Sequence, residues 1–357
     1  MGARPNFMKA APVVRALDGL GVPQVVVHTG QHYDRAMSDV FFEELGIPEP
    51  EINLGVGSGT HAVQTAALMT ALEPTLLELR PPIAVVYGDI NSTLATAVVA
   101  SKLGVPLAHV EAGLRSFDMT MPEEVNRRVT DILSDVLFLT SPEAADNLLH
   151  EGVPAERHHF VGNPMIDSLV ANLDRFDVAA ARAANDLDGP YAVATLHRPA
   201  NVDTVEAASK LVAMLEGVAA QLTIVLPLHP RGAATLQRAG LRRSDRLRIV
   251  EPLGYLPFMS LVRGATVVVT DSGGIQEETT ILGVPCLTVR PNTERPITVT
   301  HGTNRLLTPE AVPDAVATIL RDPPSPPAEP PPLWDGHAGE RIAAILRDWV
   351  AARAAGA

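Results

Sequence analysis

Four carboxylates stand where proton chemistry is open to them. Asp89 follows Ile83–Tyr87 in the pair Gly88-Asp89, and Glu111 sits in His109-Val110-Glu111-Ala112-Gly113. Glu123 and Glu124 follow in Met121-Pro122-Glu123-Glu124-Val125-Asn126-Arg127. Asp89 and Glu111 end successive apolar runs joined by one helical stretch, so they should be neighbours in space. Several carboxylates in one cleft suit a reaction that moves protons on two faces of a substrate. The plainer roles are helix capping for Asp89 and arginine pairing for Glu123.

A second set of residues suits an anion. Asp271-Ser272-Gly273-Gly274-Ile275-Gln276-Glu277-Glu278 follows an apolar run and opens a helix. Small residues let backbone N–H groups approach a phosphate, and the helix dipole favours the negative charge. An N-cap by Asp271 or Ser272 is the alternative. Glu278, one turn in, could hold a ribose diol. His197-Arg198 ends the run Tyr191–Thr195, where two positive-capable side chains could neutralise a leaving diphosphate. His229 follows Leu222–Leu226 in the same way, and Arg4 with Lys9 supplies cations near the N-terminus.

Other chemistries find little support. Gly55-Val56-Gly57-Ser58-Gly59-Thr60 lacks the third glycine of a dinucleotide fingerprint in place, so it reads as a loop before a helix from Thr60. No Cys/His cluster has metal-ligand spacing, and no metal or cofactor is expected. Ser272 lies in Asp-Ser-Gly-Gly, not in a hydrolase elbow. The single cysteine, Cys286, sits in an apolar run and reads as a small buried hydrophobe in a reducing, cytoplasmic setting.

The elements that must position these groups alternate between β-branched runs and amphipathic helices, a rhythm of parallel sheets covered by helices. Strands are expected at Val25–His28, Ile83–Tyr87, Leu107–Val110, Val136–Leu139, Tyr191–Thr195, Leu222–Leu226, Leu247–Val250, Thr266–Thr270 and Cys286–Val289. Two segments echo each other: strand, Gly88-Asp89, helix, Leu103-Gly104-Val105-Pro106, strand; and strand, Thr270-Asp271, helix, Leu282-Gly283-Val284-Pro285, strand. Each is a βαβ unit, so the expectation is an α/β chain of two Rossmann-like domains with parallel sheets and ligands beyond the strands' carboxyl ends. The expected domains are 1–170 and 171–338, followed by a helix in 339–357. Pro323–Pro332 reads as a semi-rigid linker before that helix, placed at roughly Glu340–Ala352. Gly2-Ala3-Arg4-Pro5-Asn6 looks like the loop after a first strand, yet only Met1 precedes it. A first strand is therefore expected to be missing, as a misplaced start or a truncation would leave it.

The 357 residues suit two domains of ordinary size. Hydrophobic residues make up 46%, enough for large cores. The formal net charge of −13 argues against nucleic-acid and anionic-membrane partners. No stretch approaches the roughly 20 apolar residues of a membrane span, and no signal peptide is visible.

Taken together the motifs resemble those of the non-hydrolysing UDP-N-acetylglucosamine 2-epimerases. They are Gly-x-Arg-Pro-Asn-x-x-Lys at 2–9, Gly30-Gln31-His32-Tyr33-Asp34, Gly88-Asp89, Val110–Arg115, Pro122–Arg127, Thr195–Arg198, Asp271–Glu278 and Thr293-Glu294-Arg295-Pro296. They run in the family's order from residue 2 to about 305. The resemblance implies two domains of the GT-B glycosyltransferase type with the active site in the interdomain cleft, a C-terminal helix in 339–357 that packs back on the first domain, and a homodimer. It implies interconversion of UDP-GlcNAc and UDP-ManNAc without NAD or metal. UDP leaves across C1–C2, 2-acetamidoglucal and UDP stay bound, and UDP adds back with a proton on the opposite face of C2. By position, Asp89, Glu111 and Glu123 match the family's acid/base carboxylates, with the division of steps open. Arg127 matches its sugar-site arginine and His197 the residue facing the diphosphate. Arg4, Ser272, Gly273, Gly274 and Glu278 match UDP contacts, with Lys9 beside them, and Phe258 a residue near the uracil. Gln31, His32 and His229 match a region where many bacterial members bind a second UDP-GlcNAc as activator. Departures are Asn6 where many members have Glu, Pro230-Arg231 after His229 instead of Leu-Asn-Pro, and no arginine near Gly59. The alternatives are a hydrolysing relative that releases UDP and ManNAc, a glycosyltransferase, and a non-catalytic nucleotide-sugar binding protein.

Overall fold

The computed structural model describes residues 4–30, 49–228, 230–325 and 329–356, without the side chains of 4, 5, 230 and 231. The chain divides into two compact units: Met1–Ala171 with Pro332–Ala357, and Asn172–Pro331.

The first unit opens with α1 (Arg4–Gly19). Residues 4–6, expected in a loop, form its first turn; Pro5 is tolerated there because first-turn N–H groups have no intrahelical acceptor. A two-strand parallel pair follows, β1 (Val27–His28) with β2 (Ile52–Asn53). Then come α2 (His61–Leu79), capped by Thr60, β3 (Ala84–Tyr87), α3 (Asn91–Leu103) and β4 (Leu107–Ala112). After them stand α4 (Pro122–Leu133), β5 (Val136–Leu139), α5 (Glu143–His150), β6 (His158–Phe160) and α6 (Pro164–Ala171). Strands β3-β4-β5-β6 form one parallel sheet in that order.

The second unit holds α7 (Val178–Ala184), β7 (Tyr191–Thr195), α8 (Pro199–Val202), α9 (Val205–Ala219), β8 (Thr223–Pro227), α10 (Pro230–Arg238) and β9 (Leu247–Val250). It continues through α11 (Tyr255–Arg263), β10 (Val267–Thr270), α12 (Gly273–Leu282), β11 (Cys286–Val289), α13 (Ile297–Thr300), β12 (Asn304–Leu307) and α14 (Val312–Arg321). Among the described residues its six strands are parallel in the order β9-β8-β7-β10-β11-β12. That is the doubly wound Rossmann order, in which the winding reverses between the first and fourth strands, here β7 and β10. The last helix, α15 (Ala338–Gly356), belongs to the first unit. Its Ile342, Ala343 and Leu346 join Ala10 and Val13 of α1 in one core cluster over β3, β4 and β5.

Interior strands read as continuous apolar runs because helices cover both faces. Buried Val136–Leu139 and Tyr191–Thr195 have their expected bounds. Three strands were not foreseen: β2 is two residues long, β6 is two histidines and a phenylalanine, and β12 opens Asn-Arg. β4 runs two residues further than expected, through Glu111 to Ala112. Cys286 is buried, and desolvation pushes its thiol up to about 11, as suits a small core residue. No helix among the described residues is long and apolar enough to cross a membrane.

Candidate active site

The first unit gathers its candidates at the carboxyl ends of β3 and β4, which pair directly. Glu111 is buried and takes a positive φ of 74°. The register of β4 against β5 shifts there, from Val110–Phe138 to Ala112–Leu139, leaving Glu111 as the extra residue of a bulge. A bulge re-aims a side chain, and a left-handed glutamate persists only when its surroundings impose it. Its carboxylate pairs with Lys9 of α1 and lies 3.1 Å from the place a Cβ on Gly88 would occupy. Gly88 itself has a φ of 64°. Asp89 is next, with 22% of its side chain exposed and an ion pair to Arg127 of α4. The other arm of that guanidinium reaches Glu124 Oε2 at 2.8 Å. Asn126 Nδ2 donates to the backbone oxygen of Asp89 at 2.8 Å.

Glu123 and Glu124 part company. Glu124 is buried and accepts from Ser116 N, Ser116 Oγ and Phe117 N at 2.9, 2.9 and 3.1 Å besides Arg127. It is therefore the clamp of the β4–α4 loop. Glu123 stays half-buried on the first turn of α4. The plain pairing role weighed for Glu123 belongs to Glu124.

Helix α4 is inverted relative to an ordinary amphipathic helix. Glu124, Asn126, Arg127, Thr130 and Asp131 are buried, whereas Val125 and Ile132 are 39% and 56% exposed. Asp131 was missed from the sequence, although Glu124, Arg127 and Asp131 at i, i+3 and i+7 form a legible polar stripe. His109 and Arg115, its partners, were missed too.

In the second unit the candidates meet where the winding of the sheet reverses. Asp271, at the end of β10, is fully buried. It accepts from His197 N at 3.0 Å, Arg198 N at 2.9 Å and Asn201 Nδ2 at 3.0 Å, all beyond β7. His197 Nδ1 lies 3.1 Å from Asp271 Oδ1, a contact that sets the ring's tautomer and orientation. Burial alone would raise the pKa of Asp271; the hydrogen bonds and charge of His197, with Asn201 and the Arg198 N–H, outweigh it and hold the carboxyl below its usual range. Asp271 is thus the latch between the two strand ends.

Ser272 is the N-cap of α12, and Gly273 and Gly274 form its first turn. A Cβ on Gly273 would stand under 3.0 Å from the Arg295 guanidinium and the Glu294 carboxylate, so any larger residue would have to displace that ion pair. Glu278 lies buried one turn along. Phe258 is half-buried on α11. A second group missed from the sequence surrounds α12: Arg295 pairs with Glu277 and Glu294, Arg290 with Glu294 at 2.6 Å, and Arg198 approaches Glu294 at 3.6 Å. The motif Thr293–Pro296 was the available signal.

Arg4 opens α1, but its side chain lies outside the described residues, as do Gln31, His32 and His229. Lys9 turns its ammonium to Glu111 and neutralises that buried carboxylate.

A unit with carboxylates at two adjacent strand ends and a Rossmann unit with an anion-ready reversal point fit one class of protein, α/β enzymes acting on nucleotide-linked substrates. A family model described as UDP-N-acetylglucosamine 2-epimerase matches residues 16–347. The chain is 41% identical to the UDP-N-acetylglucosamine 2-epimerase of Methanocaldococcus jannaschii, covering 97% of each. It is 42% identical to the UDP-2,3-diacetamido-2,3-dideoxy-D-glucuronate 2-epimerase of Pseudomonas aeruginosa, covering 86% of each. The crystal structure of the M. jannaschii enzyme in complex with UDP-GlcNAc and UDP superposes with a TM-score of 0.88 over 97% of this chain and 98% of that one. The chain belongs to the UDP-N-acetylglucosamine 2-epimerase family and is an isomerase with the family's two Rossmann-like domains.

Proposed function

We propose that the chain interconverts UDP-GlcNAc and UDP-ManNAc by the non-hydrolysing route. The observation that carries this reading is the pair of carboxylates Asp89 and Glu111 at adjacent strand ends, each with its own cation, Arg127 and Lys9. One carboxylate takes the C2 proton while the C1–O bond breaks and its electron pair leaves with UDP. A C1–C2 double bond results. On return, a proton reaches the opposite face of C2 and the UDP oxygen re-forms the bond at C1. The C2 proton is barely acidic, so its loss must be matched to departure of a good leaving group. Glu123, half-buried beside Asn126 and Arg127, is the third acid/base group. In the second unit, His197, Arg198 and the N-terminal turn of α12 take up diphosphate charge. Glu278 holds the ribose and Phe258 packs by the uracil. Arg4 adds charge at the diphosphate, and Gln31, His32 and His229 form an activator region. The protein works as a cytoplasmic homodimer, which sedimentation at micromolar concentration tests.

Proton NMR of the protein with UDP-GlcNAc in D2O tests the reaction. UDP-ManNAc carrying deuterium at C2 is the expected product; UDP with free ManNAc would replace this reading with hydrolysis. A second substrate reading has its own support, since the diacetamido-glucuronate relative is 42% identical over 86% of this chain, against 41% over 97% for the UDP-GlcNAc one. Faster turnover of UDP-2,3-diacetamido-2,3-dideoxy-D-glucuronate in the same tube would favour it.

A further inference from the structure

Asp131 is a buried carboxylate that the reaction above does not use. It lies two turns along α4 from Glu124, with no exposed side-chain surface. Its Oδ1 is 2.6 Å from His109 Nδ1, and its Oδ2 accepts from Gly113 N at 3.1 Å and Arg115 Nη1 at 2.8 Å. His109 and Gly113 are the residues two before and two after Glu111. Both flanks of the bulge are thus gripped by one carboxylate. The other ring nitrogen of His109, Nε2, is 2.8 Å from the backbone oxygen of Gly88, the residue before Asp89. The ring thus bridges the Asp131 carboxylate and the Gly88 carbonyl. Burial by itself would raise the pKa of Asp131; the charge and hydrogen bonds of His109 and Arg115 outweigh it and hold the group ionised. Arg115 is anchored in turn by Glu151, at 3.0 and 2.7 Å.

We propose that Asp131, acting through His109 and Gly113, is the positioning residue that holds the Glu111 bulge and the Gly88-Asp89 turn in mutual register for proton transfer. The geometry supports a role beyond stability for one reason. Glu111 sits in a left-handed conformation that a glutamate does not adopt unaided, and contacts from both of its flanks, His109 and Gly113, converge on Asp131. Release of that grip would let the bulge relax and move the Glu111 carboxylate away from the sugar, leaving the nucleotide's contacts on the second unit untouched. The proposal rests on the C2-epimerase reading.

The test is Asp131→Asn. An asparagine keeps the shape of the side chain and sets an NH2 where donors now point. With wild type shown to epimerise and to incorporate deuterium at C2, the variant should lose about 10–100-fold in kcat, the range seen when a group that orients an active residue is removed. KM and the Kd for UDP should stay within about twofold of wild type, the pattern of an interaction used only in the transition state. Glu151→Gln, which loosens the far side of Arg115, serves as the control and should keep kcat. If Asp131→Asn does not fold, His109→Gln, which can span only one of the two contacts, carries the test with the same expected split. A folded variant with wild-type kcat, a rise in KM alone, or an equal loss in Glu151→Gln would each overturn the proposal. An inert wild type would instead remove the epimerase reading, and this proposal with it.

Discussion

Two βαβ segments of the same layout, each with Leu-Gly-Val-Pro at its helix end, put an aspartate at the same place and use it in opposite ways. Gly88-Asp89 precedes α3 and Thr270-Asp271 precedes α12; both helices close on a left-handed glycine, Gly104 and Gly283, each with φ of 68°. Asp89 keeps 22% of its side chain exposed and has Arg127 beside it, while Asp271 is sealed and latches the β7 and β10 ends through three residues. A strand-ending aspartate is therefore not a role in itself. What folds over it decides: a helix lending a cation in the first unit, a neighbouring turn lending N–H groups in the second.

The largest expected effects would break that contrast if they failed. Asp89→Asn and Glu111→Gln should lower turnover by about 10²–10⁴-fold, the range of general acid–base catalysis, with UDP binding retained in calorimetry. Near-normal rates in both would end the acid/base assignment. Asp271→Ala should act the other way round, costing about 2–4 kcal/mol by leaving the N–H groups of His197 and Arg198 without their acceptor. Its signature is a lower denaturation midpoint, and an unchanged midpoint would mean that the latch carries no load.

A smaller pair of variants sharpens the comparison within the first segment. Gly104→Ala should cost about 1 kcal/mol for the left-handed conformation alone, because nothing lies within 4 Å of an added Cβ. Gly88→Ala should add a loss of turnover, roughly tenfold, because its Cβ would stand 3.0 Å from Lys9 Nζ and 3.1 Å from Glu111 Oε2. Equal rates in the two alanine variants would argue against close packing at the carboxylate pair.

The smallest effect lies in acid. Asp271 titrates below the unfolded aspartate value of about 3.9, so the unfolded chain binds more protons there. The stability this adds is present above about pH 4 and is lost as pH falls through the folded value. Asp271→Asn should flatten the acid limb of a midpoint-against-pH curve, whereas an equally steep limb would place the acid sensitivity elsewhere.

Much of the fold was legible because parallel strands buried on both faces announce themselves as apolar runs. Tyr191–Thr195 and Val136–Leu139 were read to the residue. Polar or very short strands such as His158–Phe160 were not, since their pairing supplies what their composition lacks. Asp89 and Glu111 stood out by their place after strands. That Glu124 and not Glu123 pairs with Arg127 did not, because one helical step separates a buried face from an open one.

The sequence by itself determined the periodicities, and through them two parallel α/β sheets with candidate chemistry at the strands' carboxyl ends. Tertiary structure alone decided which charges meet. Lys9 and Glu111 are 102 positions apart, and Arg127 and Asp89 are 38 apart. No local pattern encodes such pairings. They follow from the strand order that brings β3 beside β4, and from the burial of the polar face of α4 against those strand ends.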